Sequence, residues 1–105
     1  MERISIDKGL FLDDTRTPES SYWIVCRDPL EFIKYAQMYI FETYSFDHDI
    51  NCFLNSEYTS TEITGYDTLV IASAYIPKDA AINFHTSNPV GKAKMEAFWK
   101  QYSES

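Results

Sequence analysis

The feature that most constrains this chain is a set of four short apolar runs, three of which stop abruptly at ionisable residues. Gly9-Leu10-Phe11-Leu12 runs into Asp13-Asp14, and Tyr44-Ser45-Phe46 into Asp47-His48-Asp49. Ala80-Ala81-Ile82-Asn83-Phe84 runs into His85. The other run, Tyr22-Trp23-Ile24-Val25-Cys26, is rich in β-branched and aromatic residues. Apolar runs this short, bounded by polar groups, suit buried strands.

Helical signals fall between them. Asp28-Pro29-Leu30-Glu31 offers a capping aspartate, a proline suited to the first helical position and a glutamate that completes a capping box. This predicts a helix from Pro29 to about Thr43, with Leu30, Ile33, Ile40 and Phe41 as its buried stripe. A second helix is expected from Thr64, with Tyr66, Leu69, Val70 and Ser73 on one face and Pro77 as its end. A third follows Thr86-Ser87-Asn88-Pro89-Val90-Gly91, where Met95, Phe98, Trp99 and Tyr102 take core spacing i, i+3, i+4, i+7. Residues 50–63 show no clear period and read as a loop; at 14 residues it is long enough to act as a functional lid.

The resulting order β-β-α-β-α-β-α belongs to the α/β class, with a small parallel sheet and helices on its faces. One joint strains that reading. Residues 14–21 leave eight residues between the first two strands, fewer than a helical crossover needs. Either the crossover is degenerate or the second strand pairs unconventionally.

With 105 residues there is room for one core, so residues 1–105 are expected to form a single domain. A hydrophobic share of 45% separates the chain from a disordered acidic tail. The 16 acidic against 9 basic residues exclude a surface that coats DNA, because phosphate affinity comes from Lys and Arg. The longest apolar-leaning stretch, Leu69 to Ile76, is too short to span a bilayer, and residues 1–15 lack the basic and apolar regions of a signal peptide. Cys26 and Cys52 form no CxxC pair and read as reduced structural thiols. A cytoplasmic location is the expectation.

In open parallel sheets ligands bind beyond the carboxyl ends of the strands. Asp13, Asp14, Asp47, His48, Asp49 and His85 should therefore gather along one sheet edge. Side chains alternate along a strand, so Asp13 and Asp14 both reach one point only if the backbone turns there. Clustered carboxylates call for a cation, and Asp13, Asp14 and Asp47 are the expected ligands of Mg²⁺; the competing reading is solvated acids in polar loops. His48 and His85 are candidates to move protons, or neutral hydrogen-bonding groups at turns. Arg16 is placed either to meet a phosphate or to pair with Asp14. Asn88 to Gly91 reads both as an anion-binding helix start and as an ordinary N-cap followed by proline. Lys92, Lys94 and Lys100 read as a solvated face, with Lys92 close enough to the helix start to reach the site.

These residues resemble the motifs of the cyclic-phosphate processing receiver-like domains of bacteria and their phages. The matching segments are Leu10-Phe11-Leu12-Asp13-Asp14-Thr15-Arg16-Thr17-Pro18, Ser45-Phe46-Asp47-His48-Asp49, Thr64-Gly65-Tyr66-Asp67, and His85 to Met95. The resemblance implies a trimmed receiver (flavodoxin-like) fold, a four-stranded parallel sheet in order 2-1-3-4. It also implies a pocket of Asp13, Asp14, Arg16, Asp47, His48, Asp49, His85 and Asn88. Asp47 would stand where a receiver has its phospho-acceptor, and Asp13-Asp14 where it holds Mg²⁺. Two departures stand out. The segment Ile50 to Ile63 replaces a short glycine-containing loop, and His85 stands where a receiver has a lysine, which argues against two-component phosphotransfer.

The expected function is a small domain that hydrolyses or binds a cyclic phosphate of RNA or of a nucleotide, a metal-assisted phosphoesterase if active. Asp47, His48 and His85 are its candidate catalytic residues, with Arg16, Asp49, Asn88 and Gly91 around the phosphate. The alternative is a non-catalytic, phage-type protein that sequesters a phosphorylated ligand or a host protein. A ligand would be captured by the same pocket, a host protein by the acidic surface and residues 50–63, and the location would be the host cytoplasm if phage-encoded.

Overall fold

The computed structural model describes residues 3–55 and 60–105, with backbone alone at 54 and 55. In chain order the elements are β1 (Ile4–Ser5), β2 (Gly9–Leu12), β3 (Trp23–Cys26), α1 (Pro29–Met38), β4 (Tyr39–Ile40) and β5 (Thr43–Phe46). Then come β6 (Cys52–Asn55), β7 (Ser60–Ile63), α2 (Gly65–Ala72), a 3-10 turn at Ser73–Tyr75, β8 (Ala81–Phe84) and α3 (Pro89–Glu104). β3-β2-β5-β8 form a fully parallel sheet in that order, which is 2-1-3-4 among the four strands read from the sequence.

The direction of each crossover decides where the helices lie. From β3 through α1 to β5, and from β5 through α2 to β8, the chain moves the same way across the sheet. Right-handed crossovers therefore place both helices on one face. The step from β2 to β3 moves the other way and would put a helix on the opposite face, but residues 13–22 carry none. The short crossover is thus degenerate: the strands pair in parallel without a helix between them.

One hydrophobic cluster follows from this. Leu10, Leu12, Tyr44 and Phe46 of the sheet meet Phe32 and Ala36 of α1, Leu69 and Ala72 of α2, and Met95 of α3. The rings of Phe32 and Phe46 sit 4.8 Å apart. The alternate residues Gly9, Phe11, Trp23, Ser45 and Asn83 face the other side. Phe11 lies against Trp23 there, outside the main cluster.

The helix starts form as expected, with one shift. Asp28 accepts from the Glu31 N–H, and Pro29 opens α1. Glu31, however, returns its carboxylate to the Arg27 N–H rather than to the cap residue. Thr64 and Asp67 form a reciprocal capping box on α2, and Asn88 caps α3.

Four expectations are corrected. α1 ends at Met38, not near Thr43, because Tyr39–Ile40 is drawn into parallel pairing with Ile4–Ser5. Its buried stripe is Pro29, Phe32 and Ala36, while Leu30 is 81% exposed. On α2 Val70 is exposed and Thr68 is buried in its stead. Residues 50–63 are not a plain loop: β6 and β7 pair antiparallel in register Cys52↔Ile63 to Asn55↔Ser60. Residues 56–59 of that segment lie outside the described residues.

Candidate active site

Three neighbouring strands end in register, Leu12 beside Phe46 and Phe46 beside Phe84. The ladder continues for one more residue. Asp13 N–H donates to the Cys26 carbonyl, Asp47 N–H to Leu12 and His85 N–H to Phe46. Asp13, Asp47 and His85 thereby stand side by side, and alternation turns all three toward the helix-free face. One ligating atom from each lies within 4.8 Å of the others. Asp13 is fully buried, Asp47 nearly so and His85 largely.

The row is tightly wired. Asp13 Oδ1 accepts from the N–H groups of Thr15 (3.0 Å) and Arg16 (2.9 Å), so the carboxylate itself organises the turn that follows β2. Its Oδ2 lies 3.1 Å from His85 Nε2 and 3.8 Å from Arg16 Nε. Arg16 also donates to the His85 carbonyl at 2.9 Å, and its side chain is half exposed. Asp47 Oδ1 accepts from the His48 N–H at 2.8 Å. His85 Nδ1 lies 2.7 Å from the Ser45 hydroxyl, and the Phe11 ring stacks on the imidazole at 4.2 Å.

These contacts set protonation. Burial pushes the Asp13 carboxyl up, but the N–H groups of Arg16 and Thr15, together with His85, outweigh it and hold the acid below its usual range. Burial pulls His85 down, against the charges of Asp13 and Asp47, so its net value lies below the ordinary one. At neutral pH the row thus pairs ionised carboxylate with neutral imidazole.

A family model for the cyclic-phosphate processing receiver domain matches residues 8–101. The chain belongs to that family. No curated protein and no solved structure matched the chain. In this receiver domain the matched span contains the whole row, the four-stranded sheet, α1, α2 and most of α3.

The remaining expected site residues divide. Asp14 is half-buried and stays out of the Asp13–Asp47–His85 group, because alternation points it away once Asp13 is committed to the helix-free face. Arg16 pairs with Asp13 rather than Asp14. His48 takes the other direction and forms a second cluster: its Nδ1 lies 2.9 Å from Asp49 Oδ1, and Asn88 Nδ2 donates to Asp49 Oδ2 at 3.2 Å. The hydrogen bond from His48 holds Asp49 below its usual range. Gly91 is required here, since any Cβ would collide with the His48 ring. The Gly91 N–H is itself taken by Asn88 Oδ1 at 3.0 Å, which satisfies the helix start from within. Lys94 lies over the Tyr66 ring on the helical side, as befits a solvated face.

Three contributors were not singled out from the sequence. Arg27 donates to the carbonyls of Asp13 (3.2 Å) and Arg16 (2.6 Å) and to Thr17 Oγ1, clamping the turn after β2. Its signal was available, for it follows β3 as Asp13 follows β2. Gly65 presses on the Asp47 carbonyl so closely that no Cβ fits, and its N–H donates to the His48 carbonyl at 2.8 Å. Ser45 is a polar residue between Tyr44 and Phe46 in a buried strand, a pattern that itself marks a satisfied hydroxyl.

The donor set suits a divalent cation. Carboxylate oxygens side by side are ligands for a hard divalent ion such as Mg²⁺. The imidazole extends the range toward softer divalent ions such as Mn²⁺. The holding residues would be Asp13 and Asp47, with the His85 imidazole beside them where Asp14 was expected. Among the described residues no helix is long and apolar enough to cross a membrane.

Proposed function

We propose that this receiver domain opens a cyclic phosphate ester by hydrolysis at the Asp13–Asp47–His85 row. The observation that carries the reading is the convergence of these three groups within 4.8 Å at the carboxyl ends of adjacent parallel strands. A divalent cation held by the two carboxylates would supply charge neutralisation for the phosphoryl oxygens and acidify a bound water.

The chain's own groups account for the rest. The half-exposed Arg16 guanidinium stands beside Asp13 and is available to a phosphate oxygen. Neutral His85 takes a proton from the attacking water and returns it to the departing ring oxygen. One P–O bond forms to water and one ring P–O bond breaks, so the products are a phosphate monoester and a free hydroxyl. His48 and Asp49, bonded to each other and to Asn88, hold the start of α3 against the strand end that carries Asp47.

The test is 31P NMR of a nucleoside 2′,3′-cyclic phosphate incubated with the domain and Mg²⁺. Ring opening is expected in the wild type, with a loss of at least about 10²-fold in Asp47→Asn and in His85→Ala. Wild-type rates in both variants would overturn the reading. Saturable binding of unchanged ligand would replace it with the capture of a phosphorylated small molecule by the same row.

A further inference from the structure

The helices that cover one face of the sheet leave apolar surface of their own in the open. α1 and α2 pack side by side, and with the β6–β7 hairpin they bound a groove of about 660 Å³. Its walls are Leu30 and Ile33 of α1, Ile71 of α2, Cys52 of β6 and Ile63 of β7. Asp28, Glu31 and Lys34 form its rim. Leu30 is 81% exposed and Ile71 55%. Apolar spacing along the sequence assigns Leu30 and Val70 to buried stripes, yet the single chain buries neither. After Asp67 no charged residue occurs until Lys78, so the exposed positions Val70, Ile71 and Ala74 give α2 and the turn after it no charged outer face. A helix of this kind is one that something covers, and an apolar patch with a charged rim marks a contact.

We propose that this groove is the face on which two copies of the domain associate, with Leu30 of each copy seated in the groove of the other. The rim selects the occupant. Glu31 and Lys34 are both exposed, and among the described residues neither forms an ion pair within the chain. One oxygen of Glu31 accepts from the Arg27 N–H at 2.9 Å, which holds the carboxylate in place on the rim. Around a two-fold axis that sets the two α1 helices antiparallel, every contact is made twice. An axis at the level between Phe32 and Ile33 brings Glu31 of each copy level with Lys34 of the other. Leu30 and the groove wall at Ile33 both lie within one turn of that axis, so the same placement lays each leucine against the opposite groove.

A partner of a single charge sign fits less well. The rim sets Asp28 and Glu31 against Lys34, so a basic peptide would meet the lysine and an acidic one the two carboxylates. The net charge of -7 on each copy acts at longer range. It is screened beyond about 8 Å at physiological ionic strength, which leaves the rim charges to set the register. The Asp13–Asp47–His85 row stays open in such a pair, because it faces the helix-free side of the sheet. The inference is therefore independent of the chemistry read at that row.

Sedimentation velocity over about 5 to 500 µM tests the proposal, since association follows mass action. The wild type should move from monomer toward dimer across that range, and Leu30→Glu should stay monomeric. At 81% exposure this substitution leaves the fold of the single chain intact, which far-UV circular dichroism checks. Glu31→Lys and Lys34→Glu should each weaken the dimer about 10-fold, and the double variant should recover it, because the pair is only exchanged across the axis. Cys52 reports on the groove itself. Its alkylation by iodoacetamide should slow as the wild type is concentrated, and keep one rate in Leu30→Glu. A wild type that stays monomeric throughout, a dimer that survives Leu30→Glu, a double variant no stronger than the singles, or a Cys52 rate indifferent to concentration would each overturn the proposal.

Discussion

The two faces of the central sheet do different work. The helical face is dry and closed: Leu10, Leu12, Tyr44 and Phe46 are all fully buried beneath residues from three helices. The other face, with no helix from the β2–β3 crossover, carries Ser45, Asn83 and the row of Asp13, Asp47 and His85. The same four strands thus supply the core through one set of alternate residues and the proposed site through the other. Polar groups are tolerated near the second face because each has a named partner, and no buried side-chain polar atom among the described residues lacks one.

This division can be broken from either side. The largest effect should come from Asp47→Asn, with turnover down by at least about 10²-fold and the melting temperature held, because the asparagine oxygen can still accept from the His48 N–H. Turnover followed by 31P NMR, with thermal unfolding alongside, checks both halves. Phe32→Ala, beneath α1, should do the reverse. A loss of about 3–5 kcal/mol in urea unfolding is expected, with turnover per folded molecule retained.

Acid should act on the helix-free face. The ordinary histidine value is 6.5, and burial holds folded His85 below it, so on acidification the unfolded chain takes up this proton first. Its contribution is complete above about pH 6.5 and is lost as pH falls from there toward the folded value. Asp13, held below 3.8, adds stability that persists above that value and disappears as pH drops through its folded value. Urea midpoints from pH 8 to 5 should decline in the wild type and flatten in His85→Asn. A smaller effect concerns Cys26, buried on the helical face, whose thiol is pushed up by its surroundings. It should resist alkylation in the folded protein and react at the rate of unfolding, while half-buried Cys52 reacts sooner.

Much of the site was legible because strand ends are legible. Leu12 to Asp13 and Phe84 to His85 are sharp changes from apolar to ionisable, and parallel register brings such changes to one line. The choice between Asp13 and Asp14 was not legible. It depends on which face lacks a helix, and thus on the direction of a crossover whose residues form none. His48 looked equivalent to His85, but it follows Asp47 by one residue and so turns to the α3 side, against Gly91.

The sequence by itself determined the four strand segments, the three helix starts and the ionisable edge, because apolar runs and caps are local signals that neighbouring residues alone satisfy; the parallel pairing of the second strand, left open there, came from the structure. Only the tertiary structure decided the end of α1, where Tyr39–Ile40 finds its partner thirty-odd residues earlier at Ile4–Ser5. It likewise decided the β6–β7 pairing, since a two-stranded hairpin is marginal in water without something to rest on. The contacts of Ser45 belong with these. A serine in a strand has no assigned partner until register places Asn83 on one side of it and His85 within reach.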